Sequence, residues 1–274
     1  MMLKKIARTM AYIGSIITGF YLFTSAPGFH KREKWQHLTG WDYAHRGLHD
    51  NEHGIPENSM AAFQRAVDKG YGIELDVHLT ADNQLVVFHD DTLTRMCGIN
   101  KKISGFLYSY LQQLRLLGTG EGIPLFKDVL ALVDGKVPLI IELKVDGSNQ
   151  NLLCPLVWQL LSGYKGSYCI ESFHPLAVFW YRRHRPDIVR GQLSEDFTRE
   201  KLTFPRFLLS HLIGNCYASP DFVAYNCLHR KELSRVLCGS LYRSLRVAWT
   251  VRSKEELQEI APFFDLYIFE NFLP

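Results

Sequence analysis

The chain has 274 residues, 47% apolar and 22% charged. That is enough for one large core, and it excludes a disordered or fibrous chain. The net charge is only +3, and six basic residues against one acid precede residue 35. The remainder is therefore slightly acidic and offers no surface suited to nucleic acid.

The N-terminal segment comes first. Lys4, Lys5 and Arg8 precede a stretch, Thr9–Phe29, with no charged residue. A bilayer core needs roughly 20 helical residues, and this stretch is just long enough. It reads as a signal or signal anchor. Pro27 directly after Thr24-Ser25-Ala26 disfavours cleavage there, so a retained anchor is expected. By the positive-inside rule the domain beyond it would lie outside the cytoplasm. Residues 1–34 are thus expected to be the anchor and a basic linker, with the globular domain at 41–274.

From residue 41 onward, strand-like and helix-like segments alternate. The first strand is expected at Trp41–His45. A helix from Ser59 follows, capped by Asn58 or Ser59 and stopped by Gly70. Gly72–Val77 is the second strand. Asp82-Asn83 reads as a hairpin turn into 84–88. Residues 79–118 break the alternation and read as an insertion holding the hairpin and one helix, Tyr108–Leu116. Helix Phe126–Val133 then precedes the buried strand Val137–Leu143. Further on, strands are expected at 168–171, 188–193, 221–225, 245–251 and 266–269. Helices are expected at 150–162, 175–184, 197–212, 229–239 and 253–260. Eight strands over roughly 230 residues match a TIM (β/α)8 barrel, for which about 250 is typical. An open doubly wound sheet is the alternative. The six cysteines are scattered with no Cys-x-x-Cys pair, which disfavours a zinc ribbon or redox motif.

In such a barrel, chemistry gathers where the strands end. Those ends carry His45-Arg46, Glu74 and Asp76, Glu142 and Lys144, Glu171, Tyr225, Trp249 and Glu270, and the hairpin adds His89. Glu74 and Asp76 are two apart on a strand and share a face. With Glu142 they form a carboxylate set suited to a hard divalent ion, Mg²⁺ or Ca²⁺. His45 and His89 can act as general base and general acid near neutral pH. Arg46 and Lys144 supply charge for phosphate oxygens. Asp90 would orient His89 or cap the next segment. His49 and His53 read as loop residues near the mouth, and His78 as facing away from Asp76. The run Arg182-Arg183-His184-Arg185 reads as a solvated helix end.

Five stretches together are similar to the glycerophosphodiester phosphodiesterase family. They are Ala44-His45-Arg46-Gly47, Pro56-Glu57-Asn58-Ser59, Glu74-Leu75-Asp76-Val77, Val87-Phe88-His89-Asp90 and Ile141-Glu142-Leu143-Lys144. Glu171-Ser172-Phe173 and Ala248-Trp249-Thr250-Val251 also resemble later strand ends of that family. The resemblance implies a TIM barrel with a small insertion after the second strand. It implies acid/base catalysis by His45 and His89, ion binding by Glu74, Asp76 and Glu142, and phosphate contacts from Arg46 and Lys144. Glu57, Asp90, Glu171 and Trp249 would stand behind them. The implied substrates are glycerophosphodiesters, split to sn-glycerol 3-phosphate and an alcohol through a cyclic phosphate. A lysophospholipase D or sphingomyelinase D activity on membrane lipids is the alternative, and an inactive tethered binding protein a more distant one. The family's closing Thr-Asp is replaced here by Glu270-Asn271.

Overall fold

A computed structural model describes residues 2–28, 32–197 and 203–274. Phe29, Lys31 and residues 198–202 of the expected 197–212 helix lie outside the described residues.

Nine strands form one sheet: β1 Tyr43–Ala44, β2 Gly72–Leu79, β3 Leu85–Val87, β4 Leu139–Leu143, β5 Tyr168–Ser172, β6 Arg190–Ser194, β7 Phe222–Asn226, β8 Leu245–Val251 and β9 Leu266–Phe269. All pairings are parallel except β2 with β3. Because β1 pairs with both β2 and β9, eight parallel strands close into a barrel. This is the TIM barrel expected, with β3 as an added hairpin arm, and an open sheet is excluded.

The helices are α1 Met2–Ser25, α2 Met60–Lys69, α3 Thr94–Cys97, α4 Tyr108–Leu111, α5 Phe126–Val133, α6 Gln150–Leu161, α7 Pro175–His184, α8 Phe204–Ser210, α9 Asn215–Ala218, α10 Leu233–Val236 and α11 Lys254–Ile260. Most of them cover the barrel. Helix α2 shows how local sequence sets them. Ser59 Oγ accepts from the Ala62 amide, and Gly70 closes the helix in the left-handed region at φ 71°. Such an N-cap contributes about 1 kcal/mol. Ala62, Phe63 and Ala66 bury one face against the strands.

Several elements are shorter than their sequence pattern suggests. The first strand keeps only Tyr43–Ala44 because the chain turns at Arg46 (φ 55°) and Gly47 (φ 81°). The 108–116 helix stops at Leu111. The 229–239 helix divides into a 3₁₀ turn Cys227–His229, α10 and a π turn Leu237–Leu241. Leu212, at φ 54°, ends the helical run after α8.

Apolar side chains sort into three clusters. Tyr43, Ile140, Phe222, Val247 and Ile268 fill the barrel interior, with Trp35 and Leu38 packed against them. A larger cluster lies between strands and helices. A third belongs to the insertion, around Val86, Phe88, Met96 and Leu111. Lys34 pairs with buried Asp221 at 2.7 Å, so the chain before the barrel is fastened to it. None of the six cysteines is in a disulfide.

Helix α1 is long and apolar enough to be a membrane anchor or signal sequence. Nearly all of its side chains are exposed until the last turn, where Thr24 and Ser25 are buried. There the amides of Gly214 and Asn215's side chain donate to Thr24 O and Ser25 O. The Tyr242 hydroxyl donates to Leu22 O. The helix is therefore held to the domain at α9 and the π turn.

Candidate active site

Strand register assembles the carboxylates. Asp76 lies directly across from Glu142, and Glu142 from Glu171. Glu74, two residues before Asp76, projects on the same side. Ligand oxygens of Glu74, Asp76 and Glu142 lie within 4.8 Å of one another, and all three side chains are buried. Lys144 Nζ bridges Asp76 and Glu142 at 2.9 and 2.8 Å. The Arg46 amide donates to Glu74 at 3.0 Å.

The electrostatics follow from this crowding. Burial and the neighbouring charges of Asp76, Glu142 and Glu171 push the Glu74 carboxyl well above the usual carboxylate range. Burial also raises Glu142, against the opposing pull of Lys144. Glu171 goes up through burial and the charges of Glu142 and Asp76. For Asp76, burial is outweighed by Lys144, His89, Arg46 and the Asn58 hydrogen bond, and the group is held well below the usual range. Four buried carboxyls thus share two fixed cations, Arg46 and Lys144. An oxygen-only donor set with surplus negative charge suits a hard divalent ion, so Glu74, Asp76 and Glu142 fit the expected site.

The two histidines face this cluster in the same manner. His45 Nδ1 is 2.6 Å from Glu270, and His89 Nδ1 is 2.7 Å from Asp90. A carboxylate at Nδ1 fixes the tautomer with the proton there and leaves Nε2 for proton transfer. His45 Nε2 lies 3.9 Å from Glu74. Burial and the nearby Arg46 charge lower the His45 pKa to about 4 against the pull of Glu270, so its ring is neutral at pH 7. Burial opposes ionisation of Glu270, but the His45 hydrogen bond and the Arg252 charge 2.8 Å away prevail and hold it low. The Glu270-Asn271 departure therefore supplies a carboxylate for His45.

The turn that delivers His45 and Arg46 needs glycine. A Cβ on Gly47 would stand 3.0 Å from Ala62 and Phe63 atoms. The second motif closes over this turn. The Asn58 amide donates to Arg46 O at 2.9 Å, and its side chain donates to Asp76 at 2.8 Å. Ser59, not Asn58, is the helix cap. Glu57 holds Arg46 Nη1 at 2.7 Å.

Arg95, on α3 inside the insertion, is not among the residues the sequence singles out. Its Nη1 and Nη2 each donate to Glu57 at 2.7 Å. Its Nε and Nη2 donate to Asp90 at 2.8 and 2.9 Å. Arg46, Glu57, Arg95, Asp90 and His89 thus form one chain of charge-assisted bonds. Burial opposes ionisation of Glu57, yet Arg95 and Arg46 take it down to about 2. Replacing Arg95 with alanine is expected to cost activity about 10- to 100-fold, the scale seen for partners that orient metal ligands. Arg95→Ala and Asp90→Asn combined should cost less than the sum of the two. Full activity in Arg95→Ala would show that the network orients nothing.

Other candidates are placed differently from their sequence reading. His78 shares a face with Glu74 and Asp76, being two residues further on, and its Nε2 is 3.2 Å from His89 O. It is a buried support for the hairpin arm. Tyr225 does not reach the site; its hydroxyl donates to Ser210 O in the helix layer. His49 is buried beside Glu270 at 3.9 Å, whereas His53 is exposed and pairs with Asp50. Trp249 lines the mouth, edge-on to Phe173 with centroids 5.5 Å apart. Arg182 is not merely solvated, since it donates to the Cys216 and Tyr217 carbonyls.

Residues 45–225 match the Glycerophosphoryl diester phosphodiesterase family. The chain belongs to this family. Lysophospholipase D GDPD1 of Rattus norvegicus is 36% identical over 165 residues, 56% of this chain and 50% of that protein. The chain thus spans about half the length of the lysophospholipase D relatives it matches. YhdW of Bacillus subtilis strain 168, provisionally named a glycerophosphodiester phosphodiesterase, is 32% identical over 77% of this chain and 86% of its own. Among solved structures, an Oleispira antarctica phosphodiesterase in complex with the product sn-glycerol-3-phosphate shares the fold at a TM-score of 0.70 and 20% identity, covering 85% of this chain and 93% of that one. A Parabacteroides distasonis glycerophosphodiester phosphodiesterase is 27% identical with a TM-score of 0.65, covering 84% and 94%.

Proposed function

We propose that the chain cleaves glycerophosphodiesters to sn-glycerol 3-phosphate and an alcohol. The observation that carries this reading is the pair of imidazoles, each pinned at Nδ1 by its own carboxylate, facing three buried carboxylates with Arg46 and Lys144 between them. Glu74, Asp76 and Glu142 would hold Mg²⁺ or Ca²⁺, which when bound supplies charge neutralisation at phosphorus. Arg46 and Lys144 bind the non-bridging phosphate oxygens. One imidazole takes the proton of the glycerol hydroxyl next to the phosphate as that oxygen bonds to phosphorus. The other gives a proton to the departing alcohol as its P–O bond breaks. Water then opens the cyclic phosphate with the proton transfers reversed. Glu57, Arg95 and Asp90 keep Arg46 and His89 in place, and Glu270 does so for His45. Trp249 and Phe173 line the mouth.

We also propose that α1 is retained as a membrane anchor with the barrel on the extracytoplasmic side. Its exposed apolar surface supports this, and recovery with membranes after an alkaline wash checks it.

The decisive experiment supplies glycerophosphocholine, glycerophosphoethanolamine and glycerophosphoglycerol to the full chain with Mg²⁺ or with Ca²⁺. Release of sn-glycerol 3-phosphate that stops on chelation is the expected result. No metal-dependent release from any of the three would leave the tethered binding protein as the better account.

A further inference from the structure

Glu270 stands among three basic side chains. Its Oε2 is 2.6 Å from His45 Nδ1 and 3.9 Å from His49 Nε2. Its Oε1 is 2.8 Å from Arg252 Nε. Strand pairing sets this order. The His45 amide donates to Phe269 O, and the Glu270 amide to Val251 O. The residues just past β1, β9 and β8 are therefore neighbours at one edge of the mouth. Arg252 is itself steadied there, because its amide donates to Glu256 at 2.6 Å and its Nη1 to Thr250 O at 3.4 Å.

The His49 ring is not satisfied in this way. Its side chain is 8% exposed, and neither ring nitrogen has a hydrogen-bond partner among the described residues. A buried polar group left unpaired costs stability, so an acceptor that comes within reach is taken. Glu270 Oε2 lies about 1 Å beyond hydrogen-bond length from His49 Nε2. A glutamate also has one more rotatable bond than the aspartate of the family's closing Thr-Asp, and so more ways to turn its carboxylate. A further contact must decide which imidazole Glu270 serves.

We infer that Arg252 is a positioning residue for the cleavage proposed above: its ion pair with Oε1 of Glu270 keeps Oε2 on His45 and off His49. The inference rests on that reaction, in which His45 holds its proton on Nδ1 and leaves Nε2 free to act. With Oε1 released, the carboxylate can turn and place an oxygen on His49. His45 then loses the acceptor that fixes its tautomer. Arg252 thus does for His45 what Arg95 does for His89, through Glu270 in place of Asp90. The competing role is a direct substrate contact, since Arg252 is 54% exposed and lines a recess with His45 and Trp249.

The test measures kcat and KM on glycerophosphodiesters with the full chain and saturating divalent ion. The variants are Arg252→Ala, Arg252→Lys, His49→Phe and the double variant Arg252→Ala/His49→Phe, with His49→Leu in place of His49→Phe should that one not fold. Arg252→Ala should lower kcat about tenfold and leave KM within about twofold, the split expected when a catalytic group is misplaced and the substrate contacts are kept. Arg252→Lys keeps a cation beside Oε1 and should retain most of the rate. His49→Phe alone should stay within about twofold of wild type. The double variant should be at least about threefold faster than Arg252→Ala, because the imidazole that draws Glu270 away is gone and the two sites are coupled. A double variant no faster than Arg252→Ala overturns the inference. So does a raised KM with kcat spared, or full kcat in Arg252→Ala. Each of these leaves the parent reaction standing as long as wild type turns over. A wild type that cleaves no glycerophosphodiester removes both.

Discussion

His45→Ala and His89→Ala are each expected to lower kcat by about 10²- to 10⁴-fold, the range supplied by a positioned acid or base. KM should move far less, because the proposed phosphate contacts come from Arg46 and Lys144. The two variants should separate when the leaving group changes. A glycerol phosphodiester of p-nitrophenol expels an anion that needs no proton. The variant lacking the general acid should regain most of its rate on that substrate, and the variant lacking the general base should not. His45, neutral at pH 7 with a pKa of about 4, is ready to accept a proton, which makes His89 the side chain expected to show recovery. If either alanine variant keeps its rate within about tenfold on natural diesters, paired acid/base catalysis is wrong.

The symmetry between the histidines also explains which parts of the site could be read in advance. Alternation on β2 puts Glu74 and Asp76 on one face, and a buried apolar run before Glu142 brings it beside them. Those features depend on backbone period alone, so they are legible. The partners of the histidines are not. Asp90 follows His89 directly, and adjacency suggested its role. Glu270 meets His45 from a strand 225 residues away, and the departure from Thr-Asp hid a carboxylate that does the same work.

Arg95 was invisible for a different reason. It lies on a four-residue helix inside an insertion without period, and its reach to Glu57 and Asp90 depends on a loop path that no spacing rule gives. A step of two from Asp76 along β2 places His78 with the site, against the expectation that it faces away. The shortened helices near 204–241 follow local departures at Leu212, Ser219 and the π turn, where close packing overrides helical pattern. For Glu270 and Arg95 the missing information was a contact between distant segments.

The carboxylate cluster leads to the second large effect, one in which stability and activity move in opposite directions. Glu74→Gln should abolish divalent-ion binding measured by titration calorimetry. It should also cut metal-dependent hydrolysis by on the order of 10³-fold, since the charge neutralisation lost is worth several kcal/mol. The same change should make the metal-free protein more stable. Glu74 is buried beside Asp76, Glu142 and Glu171, and like charges at such distances destabilise the fold unless a cation or proton intervenes. Glutamine removes one charge yet keeps an oxygen for the Arg46 amide, now at 3.0 Å from the Glu74 carboxylate. A gain of about 1–3 kcal/mol in unfolding free energy is therefore expected without ion, on the scale of a removed buried-charge conflict. Saturating Mg²⁺ or Ca²⁺ should raise the melting temperature of the wild type and leave Glu74→Gln unmoved, because only a folded state that binds the ion is stabilised by it. A wild-type protein indifferent to both ions, or a Glu74→Gln variant less stable than wild type in their absence, would mean that the cluster is held together by Lys144 and Arg46 alone and is not built for a cation.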